Sequence, residues 1–336
     1  MHADEIKLSC LVGTLEGPRT LDDLFDSLAT QDWIWGDELI LVDGGMPADR
    51  RAEIDARVAA FAEAGISTSI ENERQPGLVH ARVAAIEAST NPWLVLLNDD
   101  SIVGPEALRQ IRRRFSKHPT LGGLCPRVEP AWEKTPKRWV MALGHQALGY
   151  NATEMHEASY GWKLWEPGVI GQRVVGGALI VARKVGLDFV QLCREAPIIY
   201  TLAPGEGRRL TGDDVILYSL VYRDKEFLTA YDDSILIRRQ IPRAHATFGY
   251  LASAMFWNFY SYGIRSLMRF GKGRIIDVFV RGFGRLLREF FRETKRVASL
   301  RVMLGYVAGG CGFVCGLFAG MASRDCVRIR IDPDRS

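Results

Sequence analysis

At 336 residues, with 47% apolar and 25% charged side chains, the chain can bury a large core, which excludes a disordered or fibrous protein. The net charge of +3 conceals an asymmetry: residues 1–245 carry 28 Lys/Arg against 34 Asp/Glu, whereas residues 246–336 carry 15 against 6. The basic C-terminal part therefore expects an anionic partner. Six cysteines form no Cys-x-x-Cys pair, and the apolar composition needs no staples, so they read as reduced thiols of a cytoplasmic chain. Residues 1–7 carry acids and no long apolar run, so a signal peptide is not expected.

In chain order, residues 6–12 are a short β-rich run. Residues 18–30 have helical spacing, with Leu21, Leu24, Phe25 and Leu28 on one face. Residues 38–42 form a second apolar run, closed by the turn signal Asp43-Gly44-Gly45. An Ala-rich helix (51–64), a strand (66–70), a helix (78–88) and a buried strand (93–97) follow. The next helix spans 104–117, where Pro105 suits the first turn. Strands alternating with helices predict a largely parallel sheet covered on both faces. Residues 126–171 read as a long irregular segment rich in Trp, Tyr and Gly, of a kind that is usually functional. An apolar strand (174–182), a helix (213–222) and two short extended pieces (227–231 and 235–237) complete this part.

Beyond about residue 250 the pattern changes to long helices. Over residues 274–296 the basic side chains fall at 274, 281, 285, 288, 292, 295 and 296, on one helical face. Ile276, Phe279, Phe283, Leu286, Leu287, Phe290 and Phe291 occupy the other. Residues 302–322 contain no charge and six glycines.

Asn98-Asp99-Asp100, at the end of an apolar strand, puts carboxylates where open α/β sheets bind ligands. Such acids can hold Mg²⁺ or Mn²⁺ against a diphosphate, or they can form a solvated turn. Asp43 can accept from a ribose or a base, or simply close an Asp-Gly turn. Thr211-Gly212-Asp213-Asp214 opens a helix. Its acids either serve as a general base or are favoured there by the helix dipole beside a Thr211 cap. Arg243, with Arg238, Arg239 and Gln240, can clamp a diphosphate or form a solvated basic loop. His245 can offer an imidazole to a metal or be structural. P-loop, dinucleotide-binding, nucleophile-elbow and zincin motifs are missing.

Taken in order, the run from Glu38 to Gly45, then Gly77-Leu78-Val79-His80-Ala81-Arg82, the strand ending in Asn98-Asp99-Asp100, the run from Val175 to Arg183, and Gly212-Asp213-Asp214-Val215-Ile216-Leu217 resemble the family-2 glycosyltransferases. The resemblance covers roughly residues 6–240. It implies a GT-A-like α/β fold: an open, mixed, mainly parallel sheet flanked by helices, here with a C-terminal helical extension. The implied division is a glycosyltransferase domain at 1–245 and a basic, helical, membrane-associated region at 246–336.

The resemblance also implies a nucleotide-sugar donor, a divalent metal (Mg²⁺ or Mn²⁺) and inversion at the anomeric carbon. Asp214 matches the catalytic base. Asp43, Arg82, Asp99 and Arg243 fall on the donor side, Asp100 and His245 at the metal, and Gly177, Trp162 and Asp213 on the acceptor side. Asn98 replaces the first Asp of the metal motif and carries no charge, so metal affinity rests on Asp100. Arg238 stands where many relatives have a His, which makes His245 the substitute. Ala244 follows Arg243 where processive synthases have Trp, so processivity is not implied. Trp132, Trp139, Trp162 and Trp165 offer faces for sugar rings or for packing. The acceptor is a glycan or a lipid-linked hydroxyl. The runner-up readings are a nucleotidyltransferase and a catalytically silent nucleotide-sugar-binding module.

The basic helix suits an anionic membrane surface rather than nucleic acid, because its opposite face is apolar. Residues 302–322 can be an interfacial or re-entrant helix, a true span, or an internal packing helix. The expected location is cytoplasmic, attached to the inner face of the membrane through the C-terminal helices.

Overall fold

Alternating apolar runs build the first half of the chain into strand–helix units: β1 (Leu8–Thr14), α1 (Thr20–Ala29), β2 (Glu38–Asp43), α2 (Ala48–Glu63), β3 (Ser67–Asn72), α3 (Leu78–Ala88), β4 (Trp93–Asn98), β5 (Ser101–Val103) and α4 (Ala107–Lys117). There follow β6 (Leu121–Trp132), α5 (Arg138–Ala147), β7 (Trp162–Trp165), β8 (Ala178–Ala182), α6 (Arg183–Glu195), α7 (Asp213–Arg223) and β9 (Leu228–Ile241). Three long helices close the chain: α8 (Phe248–Phe270), α9 (Ile275–Arg296) and α10 (Leu300–Ala322). The structure, a computed structural model, describes residues 5–75, 77–150, 162–165, 178–202, 212–223, 226–324 and 326.

The strands form one sheet in the order β3-β2-β1-β4-β8-β6-β9-β5, with β7 also on β9. Its β3-β2-β1-β4 half is parallel. Strands β1, β2 and β4 are buried almost throughout because helices cover both faces. β8 enters antiparallel between β4 and β6, and β6 runs parallel to β9. This is the mixed sheet flanked by helices that the sequence implied.

Three expectations are corrected. Residues 126–171 are not irregular throughout: they hold the second half of β6, all of α5, and β7. Pro126 and Pro130 mask the strand in the sequence. The sheet tolerates Pro126 because the β6–β9 register shifts between Pro126 and Arg127. At that shift Ser234 donates its N–H and hydroxyl to Asp232 Oδ1, so the two expected short pieces are one strand, β9, interrupted by an irregularity. Finally, α4 begins at Ala107, because Glu106 takes a left-handed φ of 60° just after Pro105.

At the end of the sheet remote from the strand C-termini, Glu38 is buried. It accepts from Ser9 Oγ (2.5 Å), from the Thr90 N–H (3.0 Å) and from the Thr90 hydroxyl. Burial alone would raise its carboxyl, but these hydrogen bonds hold it below the ordinary range. A depressed folded pKa stabilises the protein above the unfolded value of about 4.3 and stops doing so as pH falls through the folded one. Glu38→Gln is therefore expected to cost about 1.5–3 kcal/mol at neutral pH. In denaturant melts the gap to wild type should narrow below about pH 4.

One apolar core runs from Ile6 to Cys326 and includes residues of all three C-terminal helices. α10 lays Gly305, Gly309, Gly312, Gly316 and Gly320 inward. A Cβ at Gly312 would stand 2.0 Å from the Phe256 carbonyl oxygen, and one at Gly316 2.0 Å from that of Tyr260, so α8 and α10 meet backbone to backbone. α9 buries Val278, Gly282, Leu286 and Glu293. Its Ile276, Phe279, Phe283, Leu287 and Phe291 are exposed. The six cysteines are all free thiols.

Candidate active site

The parallel strands end together. Thr14 of β1 pairs with Asp43 of β2, and Gly13 pairs with Asn98 of β4, so three strand ends deliver their polar residues to one edge. Thr14 Oγ1 donates to Asp99 Oδ2 at 2.7 Å, and the Gly44 N–H donates to the Thr14 carbonyl at 2.9 Å. Asp43 Oδ1 accepts the N–H groups of Gly45 (2.8 Å) and Met46 (2.7 Å), and Oδ2 accepts from Arg51 at 2.7 Å. Against burial, which raises it, these partners hold the Asp43 carboxyl below its usual range. The Asp-Gly turn is thus real, and it fixes an ionised carboxylate at the sheet edge.

Asp99 and Asp100 sit beside it. Desolvation, then the Asp100 charge, push the Asp99 carboxyl up to about 6 despite the Thr14 hydrogen bond. Asp100 Oδ2 accepts from Arg239 Nε of β9 at 2.8 Å. Arg239 also donates to the Leu148 carbonyl just past α5. Asp100 Oδ1 is buried and has no hydrogen-bond partner. That lone acceptor, beside a second carboxylate, fits a hard cation of the Mg²⁺ or Mn²⁺ type.

α7 brings the remaining acids. Gly212 enters the helix with φ 137°, a conformation that L side chains rarely adopt. A Cβ there would meet Arg265 Nε of α8 at 2.7 Å. Asp213 and Asp214 occupy the first turn, where the helix dipole favours acids. Asp213, expected on the acceptor side, is instead buried in an ion pair with Arg82 of α3. Burial, with Asp214 adding to it, raises the Asp213 carboxyl, while Arg82 opposes the rise. Arg82 also donates to Asn98 Oδ1 at 3.2 Å, so this guanidinium, expected at the donor, joins the metal-motif strand to α7. Asp214 is 8% exposed, and its Oδ1 accepts the Val215 N–H at 2.8 Å. Asp43, Asp99, Asp100, Asp213 and Asp214 are thereby linked through Thr14, Asn98 and Arg82 at one end of the sheet.

Other expected residues make contacts of their own. Arg243 is exposed, and its backbone N–H donates to Glu133 Oε2 at 2.7 Å. Arg239 is the guanidinium that pairs with Asp100. His245 stacks on Tyr250 with ring centroids 4.0 Å apart. Trp132 packs edge-on against Tyr150, and Trp139 packs against Phe248 beneath the Arg301 guanidinium. Those two indoles therefore serve packing. Trp162 and Trp165 bound β7, whose backbone pairs with β9. Gly177 and Thr211 lie outside the described residues.

Sequence reasoning missed Thr14 and Arg265. Thr14 carries no signal of its own. Arg265 carries one, being the lone charged residue between Phe248 and Met268. Burial, then Arg285, hold its guanidinium below the usual range, while Asp214 and Asp213 pull the other way.

The family model described as glycosyl transferase family 2 matches residues 9–166. No curated protein matches the chain in sequence. Among solved structures, S. aureus TarS 1–349 in complex with UDP-GlcNAc aligns with TM-score 0.54 at 12% identity, over 93% of this chain and 82% of that one. S. aureus TarS 1–349 without ligand gives 0.49 at 10% identity, over 94% and 91%. GalNAc-T7 with UDP, GalNAc and Mn²⁺ gives 0.49 at 13% identity, over 81% and 54%. The fold comparison rests on the first of these. The match to glycosyl transferase family 2 covers residues 9–166, and the fold is of the GT-A type.

Proposed function

We propose that this chain is a metal-assisted, inverting glycosyltransferase that moves a sugar from a nucleotide-sugar donor to a hydroxyl of a glycan or lipid-linked acceptor. One observation carries the reading: within a family 2 domain, acids from β2, β4 and α7 gather at one sheet edge, and Asp100 Oδ1 there lacks a partner. The UDP-GlcNAc complex of the TarS neighbour supports a nucleotide-sugar donor.

In this mechanism Asp214 takes the proton of the acceptor hydroxyl as its oxygen attacks the anomeric carbon. The bond from that carbon to the diphosphate oxygen breaks on the opposite face, and nucleoside diphosphate departs. Arg239 and Arg265 are the nearby cations for the developing charge. Arg82 holds Asp213 and Asn98, and so fixes where Asp214 stands. Asp100, with His245 as the expected imidazole, would hold the divalent cation, which when bound neutralises phosphate oxygens. Residues 1–245 carry the catalytic acids, and the C-terminal helices α8, α9 and α10 form a basic region packed on them that adds Arg265.

The test is a thermal-shift panel of nucleotide sugars with and without Mn²⁺, followed by product analysis. A donor raises the melting point by mass action, and turnover releases nucleoside diphosphate. Release of pyrophosphate would point to a nucleotidyltransferase, and silence across the panel to a binding module without activity.

We infer further that α9 and α10 rest on an anionic membrane surface. α9 exposes Phe279, Phe283 and Phe291 among the exposed basic residues Arg281, Arg288, Lys295 and Arg296. α10, with mean hydropathy 1.8, is the described helix long and apolar enough to cross a bilayer. Its glycine face is occupied by α8, and its outer face exposes Leu304, Val307 and Phe318. That division suits a helix lying in the interface. Wild type is expected to float with phosphatidylserine vesicles, and less so as salt rises. The double variant Arg281→Glu/Arg288→Glu should stay in the pellet. Equal flotation of both proteins would remove the membrane claim.

A further inference from the structure

Away from the acidic sheet edge, a second group of ligand-type side chains meets where α5 faces the C-terminal helices. His145 of α5 and Glu289 and Glu293 of α9 each offer an atom, and these atoms all lie within 4.8 Å of one another. The two carboxylates stand one helical turn apart, a spacing at which like charges repel. Arg292 relieves part of that repulsion. It donates to Glu289 Oε2, and its Nε lies 3.0 Å from Glu293 Oε1. Arg296 approaches the same Glu293 oxygen at 3.6 Å.

The other Glu293 oxygen is left over. Glu293 is fully buried, and its Oε2 has no hydrogen-bond partner. A second unpartnered group comes from α10. The Tyr306 hydroxyl is buried without a hydrogen bond, and the residue is 2% exposed. Its ring packs edge-on against Phe290 of α9, with centroids 5.9 Å apart, on the same stretch of helix that carries both carboxylates. Buried carboxylates carry a large desolvation cost unless their oxygens are met by donors or by a metal. Here Glu289 Oε2 is met by Arg292 and by Gln146 Nε2 at 3.5 Å, and Glu293 Oε1 by Arg292, whereas Glu293 Oε2 is not met.

We propose that His145, Glu289 and Glu293 hold a divalent transition-metal ion, Zn²⁺ or a chemical analogue such as Co²⁺, that fastens α9 to α5. One imidazole nitrogen and two carboxylate oxygens suit such an ion better than Ca²⁺ or Mg²⁺, which take oxygen ligands. Bonds of about 2.0–2.2 Å place ligand atoms roughly 3.4 Å apart around a tetrahedral ion, so the three side chains need only a small inward adjustment. Three protein ligands leave one position for water, with the Tyr306 hydroxyl as its hydrogen-bond partner. The site shares no residue with the proposed catalytic acids, so it stands whether or not the transferase reading does.

The experiment titrates the full chain with Co²⁺ and follows its visible d–d absorption, together with metal content by mass spectrometry. The Asp100→Asn variant serves as the reference, so that the catalytic acids do not contribute. One ion per Asp100→Asn chain, with d–d bands present in that variant and lost in His145→Gln and in Glu289→Gln made on that background, is the expected result. Zn²⁺ should also raise the melting temperature of Asp100→Asn, and chelator should reverse the rise. Bands of equal strength after His145→Gln, or no stoichiometric binding by Asp100→Asn, would overturn the site. Glu289 is half-buried, so Glu289→Gln keeps the test open if His145→Gln does not fold.

Discussion

Asp214→Asn is expected to lower kcat about 10²–10⁴-fold, the usual worth of a positioned general base, while donor binding and melting temperature stay near wild type. The amide keeps an oxygen for the Val215 N–H, which Asp214 Oδ1 accepts at 2.8 Å, so the first turn of α7 need not move. The adjacent carboxylate should behave in the opposite way. Asp213→Asn removes the charge that faces Arg82 in a buried pair, and leaving one partner of such a pair uncompensated costs about 3–5 kcal/mol. Single-turnover rates, donor titration and denaturant melts on the two variants separate the roles. If Asp214→Asn turns over like wild type, Asp214 is not the base.

The second large effect lies in the C-terminal helices. Gly312→Ala and Gly316→Ala should each destabilise the protein by about 1–3 kcal/mol or more, and the double variant by still more, since both sites press on α8. The reason is geometric. Each new Cβ would stand 2.0 Å from a carbonyl oxygen of α8, and backbone cannot rotate aside as a side chain does. Gly284→Ala on α9 is the control. Nothing lies within 4 Å of a Cβ there, so the change should stabilise by about 0.5–1 kcal/mol through helix propensity alone. Melting temperatures of the four variants check the series. Destabilisation of similar size at Gly284 would assign the effect to something other than the α8–α10 contact.

Much of the parallel half was legible because its signals are local. Leu8–Thr14, Glu38–Asp43 and Trp93–Asn98 are short apolar runs closed by polar residues, and the polar residues fall at the strand ends where ligands bind. The order of the acids along the chain then pointed to their convergence. What escaped the reading depends on distant partners. β6 carries Pro126 and Pro130, which read as breakers, and it is a strand because β9 supplies a register shift opposite the first. The glycines of α10 lower its helix propensity, yet their purpose appears only when α8 lies against them. Asp213 and Asp214 look equivalent in the sequence. Arg82, 131 residues upstream of Asp213, distinguishes them by taking one and leaving the other. Arg243 looked like the phosphate clamp because it follows Gln240 at a familiar spacing, but β9 aims Arg239 at Asp100 instead.

Arg265 has an implication for how this protein can be dissected. It belongs to α8, beyond the stretch that matches the family, yet its guanidinium lies against Gly212 at the mouth of α7. A fragment trimmed to the recognisable transferase portion would lose that cation and bare the core it helps to seal. Chimeras that exchange tails between related chains would therefore swap a cation of the proposed site along with the last two helices, and should be designed with α8 kept on the N-terminal side of the junction.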